Sequence, residues 1–211
     1  MTENEKEMMN SIFAKIAELD YIKPDEIPNI ALYMDQVTTF MEDNLASTKR
    51  HDDDKILTKT MINNYTKNHV LPSPDKKKYS KDHVLTLILI YYLKSFLSIK
   101  DIQTLLEPIT DKYFGTESEL SFYELYEELV AQGNGQSKAL IKDVIAKYNA
   151  MQNAFSDAPE EDQEFLRNFG FICMLSFDVY IKKMMIETLI DFNSQQRKAA
   201  ADQAKEKKDK S

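Results

Sequence analysis

An all-α protein is predicted, and three observations predict it. Apolar residues recur at helical spacing along most of the 211 residues. Four glycines and six prolines are few for a sheet protein, which needs many tight turns. With 43% hydrophobic and 29% charged residues, the chain has enough apolar material to bury a sizeable core and enough charge to stay dispersed in water.

The first helix is marked by Met8, Met9, Ile12, Phe13, Ile16 and Leu19 and ends near Asp20. Lys23-Pro24 and Ile27-Pro28 then force a turn, because a residue before proline is biased away from helical angles. A second helix is expected from about Asn29 to Leu45, with Leu32, Val37, Phe40, Met41 and Leu45 inward. The stretch Ala46 to Lys55 lacks periodicity and reads as an exposed loop. Thr58 can cap a helix over 58–68, its hydroxyl accepting from a free amide of the first turn. That helix buries Leu57, Met61, Ile62 and Tyr65 and leaves Lys59, Thr60, Asn63, Asn64 and Lys67 outside. Pro72-Ser-Pro74 stops it, and Asp75 to Tyr79 forms a lysine-rich excursion too short for a helix. Ser80 caps an apolar helix through about Phe96, and Ser98 caps a short one ended by Pro108.

Phe122, Leu125, Tyr126 and Leu129 mark the next helix, closed by Gly133-Asn-Gly135. Leu140 to Phe155 and Glu160 to Phe192 supply two longer segments, parted by Ser156-Asp-Ala-Pro159. The second is apolar nearly all round from Phe169 to Val179 and is expected to be the central helix of the C-terminal half. Past Ser194 the chain is charged and alanine-rich, and frayed helix or disorder is expected. The domain reading is an N-terminal helix at 1–26, a central domain at 27–109, a C-terminal helical domain at 117–193 serving dimerisation or an effector, and a disordered charged tail at 194–211.

Cys173 is the single cysteine and cannot close an intramolecular disulfide, and no cationic segment with an apolar run and cleavage site opens the chain. A cytoplasmic location follows as the expectation. No apolar run is long and uninterrupted enough to span a bilayer. The net charge of -8 argues against nucleic acid, but its distribution does not. Lys55 to Lys100 holds nine lysines against Asp75 and Asp82, a local +7 beside an acidic remainder.

Residues 57–106 resemble the winged helix-turn-helix of MerR-type transcriptional regulators. The family's capping Ser or Thr falls on Thr58, its Arg-Tyr-Tyr run on Asn63, Asn64 and Tyr65, and its Gly-Leu-Leu-Pro turn on His69, Val70, Leu71 and Pro72. The last tyrosine of its basic wing falls on Tyr79, and its Ser-Leu-x-x-Ile element on Ser98, Ile99 and Ile102. Asparagines stand where the family has a backbone-contacting arginine and tyrosine, His69 replaces the turn glycine, and the 46–55 loop replaces a tight turn. The wider stretch Ile27 to Tyr65 resembles an uncharacterised bacterial family catalogued as domain of unknown function 1836, which implies the same fold and no activity. The resemblance implies a MerR-like winged helix-turn-helix with a possible short β wing, and the apolar spacing beyond it adds a C-terminal helical bundle.

Function is then expected to be transcriptional regulation by duplex DNA binding. The site is Thr58, Lys59, Thr60, Asn63, Asn64, Tyr65 and Lys67 on the helix with Lys76, Lys77, Lys78 and Tyr79 on the wing. Asparagine can pair bidentately with adenine, and lysines meet phosphate or guanine. The opposing reading is an ordinary solvated face, or a protein-interaction module that no longer meets DNA. One recognition helix contacts few base pairs, so a homodimer through the C-terminal helices is expected. His51 with Asp52, Asp53 and Asp54 reads as a solvated charge run rather than a metal site, and Cys173 as a small core residue rather than a sensor. The methionines and aromatics of the C-terminal half read as core rather than as an effector pocket. With no glycine-rich phosphate loop, nucleophile elbow or paired ligand spacing, no enzymatic activity and no cofactor are expected.

Overall fold

The structure, a computed structural model, describes residues 3–17, 21–116, 120–134 and 136–209. It is mostly helical, and the described residues form two compact units. The first takes residues up to Tyr21 and Leu129–Lys182; the second takes Ile22–Glu128 and Lys183 onward.

In the first unit, α1 (Glu3–Ala17) lays its apolar stripe on α7 (Ser137–Gln152) and on the N-terminal part of α8 (Glu160–Asp209). Met9, Val144, Tyr148 and Phe171 are its buried cluster, with Met8, Ile12 and Phe13 packed against it. Tyr148 and Phe171 meet edge to face with ring centres 5.5 Å apart. Lys147 bridges α7 and α8, pairing with Asp143 and, at 2.7 Å, with Asp178. The end of the first predicted helix near Asp20, and Gly135 at the expected stop of α6, lie outside the described residues.

In the second unit, β1 (Leu32–Tyr33) runs directly into α2 (Met34–Leu45), and α3 (Lys59–Lys67) follows a loop. β2 (Lys78–Tyr79) then leads into α4 (Lys81–Leu93) and α5 (Ile99–Tyr113), and α6 (Phe122–Asn134) begins here. β1 and β2 pair antiparallel, Leu32 with Tyr79 and Tyr33 with Lys78. The helix expected from Asn29 therefore starts only at Met34. Leu32 and Tyr33 are extended because β2 gives their backbone a partner.

α4 is the centre of this unit, with Val84, Leu85, Leu87, Ile88 and Ile90 all buried. Its N-terminus is capped by a histidine: the Ser80 amide donates to Nδ1 of the buried His83 at 3.0 Å. Edge-on contacts with Tyr79 and Phe114 enclose that ring. Pro108, expected to end α5, lies inside it. Proline has no N–H for the carbonyl four residues back, and Arg197 supplies the missing donor, its Nη2 reaching the Thr104 oxygen at 2.9 Å. Arg197 can do so because the stretch past Ser194, expected to fray, continues as helix to Asp209.

The apolar run of α8 is buried on one face only. Phe171 joins the core cluster with Leu175 packed against it, whereas Phe169, Ile172, Phe177 and Val179 are exposed and Cys173 is half-buried, so the all-round burial expected of this run does not hold.

Candidate nucleic-acid interface

Thr58 caps α3 as its sequence predicts, the hydroxyl accepting from the Met61 amide at 3.2 Å. Ile62 and Tyr65 face the core, while Lys59, Thr60, Asn63, Asn64 and Lys67 are exposed along the outer face. The helix ends in a Schellman arrangement. The Val70 amide donates to Tyr65 O at 2.9 Å and the His69 amide to Thr66 O at 3.1 Å, with His69 left-handed at φ 55°. The histidine thus takes a backbone conformation that glycine adopts without strain.

The lysine-rich segment 75–78 is a tight turn. Lys76 and Lys77 both have positive φ, 48° and 65°, and the Lys78 amide closes the turn on Asp75 O at 2.8 Å. Positive φ at both central positions is the mark of a type I′ turn, which strongly favours Asn-Gly. Two lysines here hold their ammonium groups at the tip at a cost in backbone strain. Lys76, Lys77 and Lys78 are exposed. Tyr79 points inward, and burial pushes its hydroxyl above the usual tyrosine range, as it does for Tyr65. Those two predicted contact residues are core residues.

The β1–α2 junction brings wing and helix together. Tyr33, more than half exposed, has the Lys78 ammonium 5.4 Å from its ring centre. Two residues on, Asp35 forms an ion pair with Lys59 at the start of α3. Tyr33 is the residue sequence reasoning misses, because the helix expected from Asn29 covers it and the acidic stretch around it gives no sign of the cationic turn it meets. Asn63 is exposed on α3, while Asn64 accepts from Asn68 Nδ2 at 2.9 Å.

The remaining lysines of the basic segment divide. Lys94 donates to Ile56 O at 2.6 Å and burial pulls its pKa down, so it is a structural clamp. Lys81 lies 4.2 Å from the ring centre of Tyr123. In the 46–55 loop, the Asp54 carboxylate accepts from the His51 amide at 3.0 Å and the Arg50 amide at 3.1 Å, bonds that hold its pKa down. Lys49 pairs with Glu42 of α2. Among the described residues no group of three or more His, Cys, Asp or Glu side chains is placed to hold a metal ion, and no described helix is long and apolar enough to cross a membrane.

These features define a mostly helical protein whose second unit presents a cationic helix and a cationic β turn around a two-stranded ribbon. The chain belongs to the family described as a domain of unknown function (DUF1836), whose model matches residues 22–129. Comparison with curated proteins and with solved structures yields no match.

Proposed function

We propose that the protein is a DNA-binding transcriptional regulator with a MerR-like winged helix-turn-helix, α3 entering the major groove and Lys76–Lys78 meeting the backbone. The observation that carries this reading is the β1–α2 junction, where Tyr33 and Asp35 bring Lys78 of the wing and Lys59 of α3 to one ribbon end. In this reading Lys59, Lys67 and the wing lysines neutralise phosphates, which positions the protein without reading sequence. Asn63 reads a base edge, since its neighbour Asn64 already spends its carbonyl on Asn68. Two copies supply the affinity that one short helix lacks.

One observation favours a second reading, a protein-interaction module that does not meet DNA. Asp35 neutralises Lys59 at the tip of α3, and Asp43 lies on the same open groove along α2. Both residues of the Lys59–Asp35 pair are largely exposed, so it is worth at most about 1 kcal/mol and phosphate can displace it.

The deciding experiment titrates the full chain against a random-sequence duplex pool at low salt and against the best enriched sites. DNA recognition predicts that N63A loses about 1–3 kcal/mol on the preferred site and little on random duplex. K78A is expected to weaken both alike and flatten the salt dependence by up to about one unit of slope. No duplex binding at low salt up to micromolar protein would turn the reading to the interaction module.

A further inference from the structure

The N-terminal half of α8 carries an apolar stripe that its own unit does not cover. Phe165, Phe169, Ile172 and Val179 are 69%, 55%, 61% and 61% exposed, and Ser176, between the last two, is exposed as well. Their spacing alternates four and three residues, the a/d pattern of a helix that pairs with another helix. The opposite face of the same helix is satisfied, with Phe171 buried in the α1–α7 cluster and Asp178 bridged to Lys147.

From these observations we infer that the stripe is the interface with a second copy of this chain, paired antiparallel about Ile172. Two features select that occupant and that direction. Phe165 and Val179 lie equally far from Ile172 on either side, so an antiparallel pair about Ile172 sets Phe165 of each copy against Val179 of the other. The charges are arranged head to tail: Glu160, Glu161, Asp162 and Glu164 open the helix, and Lys182 and Lys183 follow the stripe. Antiparallel pairing about Ile172 sets Asp162 opposite Lys182 and Glu161 opposite Lys183, whereas parallel pairing stacks four carboxylates on four. Acidic residues at a helix N-terminus also suit its dipole, but the dipole gives no reason for two lysines in mid-helix.

The area is sufficient. An exposed aromatic offers roughly 150–250 Å², so Phe165, Phe169, Ile172, Val179 and Tyr180 present about 500 Å² of apolar surface per copy. Two copies together then bury about 1,000 Å², the total at which a specific interface begins. This pairing gives the two-copy reading a surface and a direction, yet it stands on α8 alone. A protein that dimerises and ignores DNA would leave it intact.

Sedimentation of the full chain at about ten micromolar, without DNA, tests it. The expected result is twice the 24.5 kDa chain mass for the wild type and the single-chain mass for I172E and F169E, both with unchanged helical circular dichroism. On a C173S background, oxidation of a mixture of F165C and V179C proteins is expected to yield the mixed disulfide dimer, with little F165C homodimer. A single-chain mass for the wild type would overturn the inference, as would efficient F165C self-crosslinking, which marks a parallel pair.

Discussion

α4 and α8 carry similar apolar runs in opposite surroundings. From His83 to Ile88 every side chain of α4 is buried, and Leu87 and Ile88 have no exposed surface at all. In α8 the densest apolar stretch of the C-terminal half leaves Phe169, Ile172, Phe177 and Val179 in solvent. The difference lies in the polar residues between. α4 has only Thr86 inside its run, and that hydroxyl is spent within the helix on Asp82 O at 2.7 Å. α8 interrupts its run with Asp178, Lys182 and Lys183, charges that a fully apolar core cannot take and that hold this part of the helix at the surface, where Asp178 meets Lys147. Apolar density alone therefore does not name a core; what sits between the apolar residues decides whether the fold or a partner takes them.

The sharpest way to break this contrast is truncation on each helix. L87A is expected to cost about 2–5 kcal/mol, the lost transfer energy plus a cavity in a fully packed site. I172A, measured in the I172-independent monomeric background F169E, is expected to stay within about 0.5 kcal/mol. Denaturant unfolding of both measures the difference, and equal losses would show that α8 has its partner within the chain.

A second test uses pH. Burial holds His83 below the usual histidine range, and its Nδ1 is already accepting from Ser80, so the folded state keeps it neutral. The unfolded chain binds its proton at the ordinary value, near 6.5. Stability from this group is therefore full above that pH and is lost as pH falls through the unfolded value toward the folded one. The urea midpoint of wild type is expected to fall more steeply below pH 6.5 than that of H83Q, while the exposed stripe of α8, which holds no titrating histidine, contributes nothing to that difference.

Arg197 tests the tail of α8. Removing its bond to the carbonyl that Pro108 leaves open is expected to cost R197A about 1 kcal/mol, because water can reach part of the site. P108A is expected to make the same arginine dispensable, so a double-mutant cycle should show coupling between the two positions.

Local rules made part of this molecule legible. The Thr58 cap and the outer face of α3 each depend on a few neighbouring residues and were readable from residue type and spacing, whereas the left-handed turn at His69 was implied only by the resemblance of residues 57–106 to a known turn. Leu32 and Tyr33 were not, since a two-residue strand has no period and its partner, Lys78–Tyr79, lies across α2 and α3 in sequence. Pro108 misled because its compensation comes from Arg197, far along the chain. Tyr65 and Tyr79 carried the resemblance to a DNA-contacting pattern but are buried, so a matching residue type did not guarantee a matching role.

The smallest effect separates fold from function at the wing. Lys76 and Lys77 occupy a turn that Asn-Gly would adopt with less strain, just as the α8 stripe occupies solvent that a core would have spared it. Each feature disfavours the isolated chain, and each places a group where a partner can reach it. Replacing the pair as K76N/K77G is expected to stabilise the protein by about 0.5–1 kcal/mol, because Gly relieves the left-handed position and Asn tolerates it. The same change removes two cations from the tip, so duplex binding is expected to weaken on all sequences alike and its salt dependence to flatten by up to about two units of slope. Stability and affinity should thus move in opposite directions in one variant. If K76N/K77G gains stability and keeps wild-type duplex affinity, the lysines are not phosphate contacts and their strained geometry serves something else; if it loses both, the wing turn owes its shape to contacts that the lysine side chains make within the fold.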